Sequence, residues 1–343
     1  MEWLVLILWL SIINGALGGQ YILNWMGNQP KYTGGQPVDV SPGVMTFWRE
    51  VSKFVWAAIA VSVEVIKGKP VKYLWPGALS MITIVIAAFT GVIENIGFFY
   101  LPRYYSPHIY APYVNIYLAF LPFLGKFLFD AKVRKEHWIG ITLVIIGLAT
   151  PHLPVMMGKE YDPKAVLDFT GIIWIIIINL CLCSQQILNN KTVQTVLPNV
   201  GPNALVVWRE IWKMLFISIA LFSIPIIGKI VGAEEGNRFF SLFSGSIFPN
   251  NWLPILFVVL AGLTGYIYSF GFFKLSKFAA HFWVPYTNIY LALLPFIMFL
   301  FGKNVTGYQI AGAVIVTAGL MVGVSDYSKN KVEEIEKKYK DLA

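Results

Sequence analysis

The chain runs to 343 residues, 57% hydrophobic and only 13% charged, with a formal net charge of +8. A water-soluble fold of this size would lack the polar surface to cover itself, so the composition excludes a soluble globular protein and points to an integral membrane one.

In chain order, apolar runs long enough to cross roughly 30 Å of hydrocarbon, about 20 residues each, lie near 3–25, 44–66, 75–100, 106–129, 137–157, 169–190, 203–228, 252–273, 279–301 and 306–325. Lipid offers no partner to a backbone donor or acceptor, and these runs far exceed the strands of a barrel, so ten transmembrane α-helices are predicted. The first opens on Met1 and Glu2 without a basic leader or small-residue cleavage site and is read as a retained helix. It ends on the polar residues Gln20 and Asn24, which either meet substrate or bond between helices. The second carries Arg49, Glu50 and Lys53 a turn or two inside its start. Isolated charges at that depth are costly and normally face the bundle interior or water, and Glu50 reaches Lys53 at i+3. In the third, Glu94 is an intramembrane carboxylate, read as a proton carrier or as the counter-charge to Lys53 or to a cationic substrate.

The fourth run contains "HIYAPYVNIYLAFLPF" at 108–123. At 100° per residue, His108, Pro112, Asn115, Ala119 and Pro122 fall within about 80° of one another, with Tyr110, Tyr113 and Tyr117 opposite. Pro112 cannot donate to the carbonyl of His108, and a freed carbonyl is tolerated only against protein or a water-lined cavity. The stripe is therefore either a packed kink or the lining of a substrate path, and His108 and Asn115, with Tyr117 from the aromatic side, are the candidate ligands.

Beyond the fifth helix the chain repeats itself. "QQILN" (185–189) answers "QYILN" (20–24), "VWREIWKM" (207–214) answers "FWREVSKF" (47–54), and "GFFKL" (271–275) answers "GFFYL" (97–101). "HFWVPYTNIYLALLPF" (281–296) answers the fourth-run segment, and Gly312 and Gly319 answer Gly140 and Gly147. Gln185, Arg209, Glu210, Lys213, His281, Asn288 and Tyr290 thus stand as second copies of first-half candidates, whereas Tyr268 occupies the place of Glu94. Five helices per copy is an odd number, so the second half must enter the membrane inverted. The predicted organisation is a first repeat at 1–158, a loop at 159–168, a second repeat at 169–325 and a charged tail at 326–343. Inversion places the Arg49 cluster toward the non-cytoplasmic end and the Arg209 cluster toward the cytoplasmic end, as interface anchors or as two alternating gate networks.

Loops on one side (67–74, 130–137, 190–202, 274–278 and the tail) hold 14 Lys and Arg against 7 on the other, which predicts cytoplasmic termini. The Lys-rich tail reads as a solvated segment near anionic lipid, with no separate support for nucleic-acid binding. Cys181 and Cys183 point about 200° apart on one helix and read as filler, not as a disulfide or metal site. No nucleotide loop, zinc spacing or nucleophile elbow is present, so no cofactor and no enzymatic activity are expected.

With two five-helix repeats, an Arg in the second helix of each, and a fourth helix of each ending in "LPF" before a Gly-spaced fifth, the chain resembles the drug/metabolite transporter superfamily, and within it the EamA-like proteins. The resemblance implies a secondary transporter working by alternating access and driven by exchange or an ion gradient. Its substrate would be a small molecule such as an amino acid or a nucleotide-linked sugar, and the protein a monomer or homodimer in a lipid bilayer. The surplus of Lys and Arg over Glu in the clusters favours an anionic or zwitterionic metabolite; the aromatic stripes would equally suit an organic cation or amphiphile. A receptor or scaffold of transporter-like fold is the other class, with a membrane-embedded enzyme behind it.

Overall fold

The computed structural model describes residues 2–35, 38–120, 133, 135–157, 167–197, 199–232, 237–275 and 287–325. Among them every regular element is helical. The principal helices are α1 (Glu2–Gly27), α2 (Pro42–Ile66), α3 (Ala78–Tyr104), α4 (Pro107–Val114), α5 (Lys135–Ala149), α6 (Phe169–Thr195), α7 (Pro202–Ile230), α8 (Leu253–Leu275), α9 (Ile289–Leu300) and α10 (Gly307–Ser325). Four stretches, Ala78–Tyr104, Phe169–Val193, Pro202–Ile230 and Leu253–Leu275, are long and apolar enough to cross a membrane, as befits a membrane-embedded protein. Start signals are local. Ser41 caps α2, its hydroxyl accepting from the Val44 amide at 3.3 Å, and Pro42 and Pro202 open α2 and α7, where a missing N–H leaves no helical bond unmade.

The fourth apolar run departs from the single helix expected at 106–129. α4 stops at Val114, residues 115–116 form a turn, and helix resumes over 117–120. In the ninth run, residues 276–286, and with them His281, lie outside the described residues; 287–288 form a tight helical turn from which α9 starts.

The chain divides into two compact units. One comprises Met1–Gly18, Tyr105–Asn179 and Lys274–Ala343, the other Gly19–Tyr104 and Leu180–Phe273, so each draws on both halves of the sequence. In the first, α5 and α10 meet backbone to backbone. A Cβ on Gly147 would lie 2.7 Å from the Val316 nitrogen and 2.8 Å from the Gly312 oxygen, and one on Gly319 would lie 2.8 Å from the Gly140 oxygen. Pairing 147 with 312 and 140 with 319 makes the helices antiparallel, joined along a seam that only glycine permits. In the second unit α7 packs on α2 and α3. There α8 closes on α2, with the Ser52 hydroxyl donating to the Val259 carbonyl at 2.7 Å and Gly262 giving room for Ser52.

Candidate functional site

Lys53 is the twelfth residue of α2 and Lys213 the twelfth of α7, about 17 Å along helices of roughly 37 and 43 Å at 1.5 Å per residue. Both therefore stand near mid-helix, and each side chain is long enough to reach the neighbouring helix. The expectation of two separate charged clusters is corrected here: Arg49, Glu50, Lys53, Arg209, Glu210 and Lys213 form one network, none of them more than 6% exposed. Arg49 Nε lies 3.0 Å from Glu50, and Arg209 lies 2.9 Å from Glu210. Lys53 Nζ lies 3.0 Å from Glu50 and 3.0 Å from Glu210, tying α2 to α7. Lys213 is looser, at 3.8 Å from Glu50 and 3.9 Å from Glu210, and it makes no hydrogen bond among the described residues. The physical reason for the fusion is that each triplet alone carries one uncompensated positive charge, and shared carboxylates lower the cost of burying both.

Around the network the same contacts recur at the positions the sequence repeat matches. Arg49 donates through Nη2 to Asn95 Oδ1 and lies 5.4 Å over the Phe99 ring; Arg209 donates to the Ser269 hydroxyl at 2.6 Å and lies 5.5 Å over Phe273. Trp48 donates to the Ile247 carbonyl at 2.7 Å and Trp208 to the Leu74 carbonyl at 2.8 Å. A Cβ on Gly91 would meet Lys213 and Gln185, and one on Gly265 would meet Lys53 and Gln20. Gln20 and Gln185, expected among substrate ligands, are thus placed beside the charged network.

The correspondence breaks at one place. Glu94 is buried, and its Oε2 accepts from Gln185 Nε2, whereas Tyr268 holds the matching position on α8. Two further polar atoms of the network, Arg49 Nη1 and Glu210 Oε2, are buried without a hydrogen-bond partner. Asn95 completes one side, its Nδ2 donating to Glu50 at 2.6 Å.

The remaining candidates belong to the other unit. Asn115, at the end of α4, donates through Nδ2 to the Ala111 carbonyl at 2.8 Å and to the Tyr290 hydroxyl at 3.0 Å. Tyr117 has its amide held by Asn179 Oδ1 at 2.7 Å, while Asn179 Nδ2 donates to the Tyr113 carbonyl at 2.9 Å, so one side-chain amide bridges the two groups that an unbroken helix would join. The Tyr290 amide is held in the same way by Asn14 Oδ1 at 2.9 Å. Asn288 is buried and meets Thr287 Oγ1 at 3.4 Å. His108 lines a cavity of about 20 Å³, with Tyr113, Pro151 and Gln309 among its walls, the space of one or two waters.

Sequence reasoning did not single out Asn14, Asn179, Asn95, Ser269, Gly91 or Gly265. The signal was present: "NGALGGQYILN" at 14–24 and "NLCLCSQQILN" at 179–189 carry Asn at both ends in step, and the GFF motif aligns Asn95 with Ser269.

No family model matches the sequence, and no curated protein does either. Among solved structures, the chain is similar to a protein of known crystal structure at 12% sequence identity and a TM-score of 0.52, with 90% of this chain and 96% of that chain covered. That likeness concerns the fold.

Proposed function

We propose that the protein is a ten-helix secondary transporter, built from two inverted five-helix repeats, that moves a small anionic or zwitterionic metabolite by alternating access with both termini cytoplasmic. The observation that carries this reading is the buried network: four cations face Glu50, Glu210 and Glu94, leaving one positive charge, and the Lys213 ammonium has no hydrogen-bond acceptor among the described residues. A buried surplus cation with idle donors is stabilised by a negative group from a ligand. The matched contacts support the inverted repeat, since a two-fold axis sends Gly147 against Gly312 into Gly319 against Gly140 and Lys53–Glu210 into Lys213–Glu50. The side-chain patches at Tyr117 and Tyr290 support paired broken helices, the irregular backbone that transporters place beside their sites. Asn288 is kept as a polar contact on the path.

The test is thermal stabilisation of the detergent-purified protein by a panel of anionic, zwitterionic and cationic metabolites, followed by counterflow in proteoliposomes. A ligand at 100 times its Kd adds about 2.7 kcal/mol. Stabilisation by an anion or zwitterion that disappears in Lys213→Met is the expected result. Stabilisation by cations alone, or an unaltered shift in Lys213→Met, would overturn the assignment.

A further inference from the structure

Glu94 differs from the other two carboxylates of the network in what surrounds it. Glu50 meets Arg49, Lys53 and Lys213 within 4 Å, and Glu210 meets Arg209, Lys53 and Lys213. Glu94 has no ion pair at that distance among the described residues; the side chain that touches it is the neutral amide of Gln185. The titratable and polar groups that face it are Gln185 and Cys181 from α6, Lys213 from α7, Arg49 and Lys53 from α2 and Tyr268 from α8.

Lys213 also reaches the turn of α3 that precedes Glu94. Over Gly91, one helical turn before Glu94, the Lys213 Nζ and the Gln185 Oε1 each lie 3.0 Å from the point a Cβ would take, so the two atoms are within about 6 Å of each other. On the matching side no carboxylate stands on α8, and Lys53 packs at Gly265 through Cδ and Cε, at 3.3 and 3.5 Å, with its ammonium 3.0 Å from both shared carboxylates. Lys213 stands farther from those same carboxylates, with its ammonium 3.0 Å from the point a Cβ on Gly91 would take.

We infer that Glu94 is a reversible proton-binding site, and that its proton decides where Lys213 sits. With Glu94 ionised, its attraction keeps Lys213 from closing on Glu50 and Glu210, which stand 3.8 and 3.9 Å from the lysine ammonium. When a proton from water adds to the carboxylate, no bond but the new O–H forms, the attraction ends, and Lys213 closes on Glu50 and Glu210 in the manner of Lys53. The network then carries a second surplus positive charge, so proton uptake and the binding of an anionic ligand are coupled. The coupling rests on the transport reading above; the proton site does not.

The experiment is an infrared pH titration of the purified full chain in lipid nanodiscs, needing no substrate. Between roughly pH 4 and pH 9, the span of ordinary and buried carboxyls, a protonated-carboxyl C=O band should grow on acidification in the wild type and stand out in the difference spectrum against Glu94→Gln, in which the other carboxyls cancel. In Gln185→Leu, which retains Glu94, the same band should move to higher wavenumber because its carbonyl has lost a donor. A wild-type-minus-Glu94→Gln difference without any such band over that range would overturn the proposal, as would an unmoved band in Gln185→Leu. Titration of Glu94 in a protein that carries no substrate would leave the proton site standing and count against transport alone.

Discussion

Lys53 lies 3.0 Å from a carboxylate on each of two helices, whereas Lys213 stands 3.8 and 3.9 Å from the same two groups. Removing one partner of a buried, hydrogen-bonded pair costs about 3–5 kcal/mol, because the other charge is left uncompensated. Lys53→Met should therefore lower the thermal midpoint in detergent well below that of wild type, and Lys213→Met by clearly less. Equal losses would mean that the two lysines contribute alike despite their distances. The triplets themselves were legible in the sequence, since Arg, Glu and Lys at one spacing occur twice in apolar helices. Their union was not, because helical periodicity gives the face a charge occupies and says nothing of which neighbour it meets. The choice of partner follows from side-chain reach near mid-helix, where two long lysines from facing helices can share a carboxylate.

At the scale of the helix, glycine positions separate into those that serve contact and those that do not. A methyl on Gly147 would collide with the backbone of α10, which cannot step aside, whereas nothing lies within 4 Å of the same point on Gly15. Gly147→Ala is expected to destabilise by about 1–3 kcal/mol as overpacking does, and Gly15→Ala to be neutral or to stabilise by roughly 0.5–1 kcal/mol through helix propensity; denaturation curves of the two variants decide it. The broken fourth helix gives a second expectation. Asn179 closes the gap between the Tyr113 carbonyl and the Tyr117 amide, so Asn179→Leu should speed hydrogen exchange at Tyr117 and cost about 1–3 kcal/mol for the buried groups left unpaired. An unchanged exchange rate would show that the bridge is dispensable. Pro112 lies within the regular span of α4, and the interruption falls instead at 115–116, where it depends on an Asn from another helix that local sequence does not reveal.

For the molecule as a whole, composition pointed to a membrane protein, the length of the apolar runs to helices, and the doubled motifs marked most of the residues that the structure gathers. The assignment of each motif to one of two compact units was beyond reach, because both units interleave segments from both halves and no linker marks the change. Neither half can complete the charged network alone: Lys53 needs Glu210 and Lys213 needs Glu50. Residues 1–158 and 169–343 expressed separately should each be poorly stable, and together should restore a folded protein; a stable isolated half would contradict this. The shared carboxylates also set a schedule for biogenesis. Pro42 and Pro202, which open α2 and α7, are 160 residues apart, on the order of 10–30 s of translation. On the proposed ten-helix topology, the nascent chain must shelter an unmatched cationic triplet inside or beside the insertion machinery through that interval, and the arrival of α7 is the event that releases it to lipid.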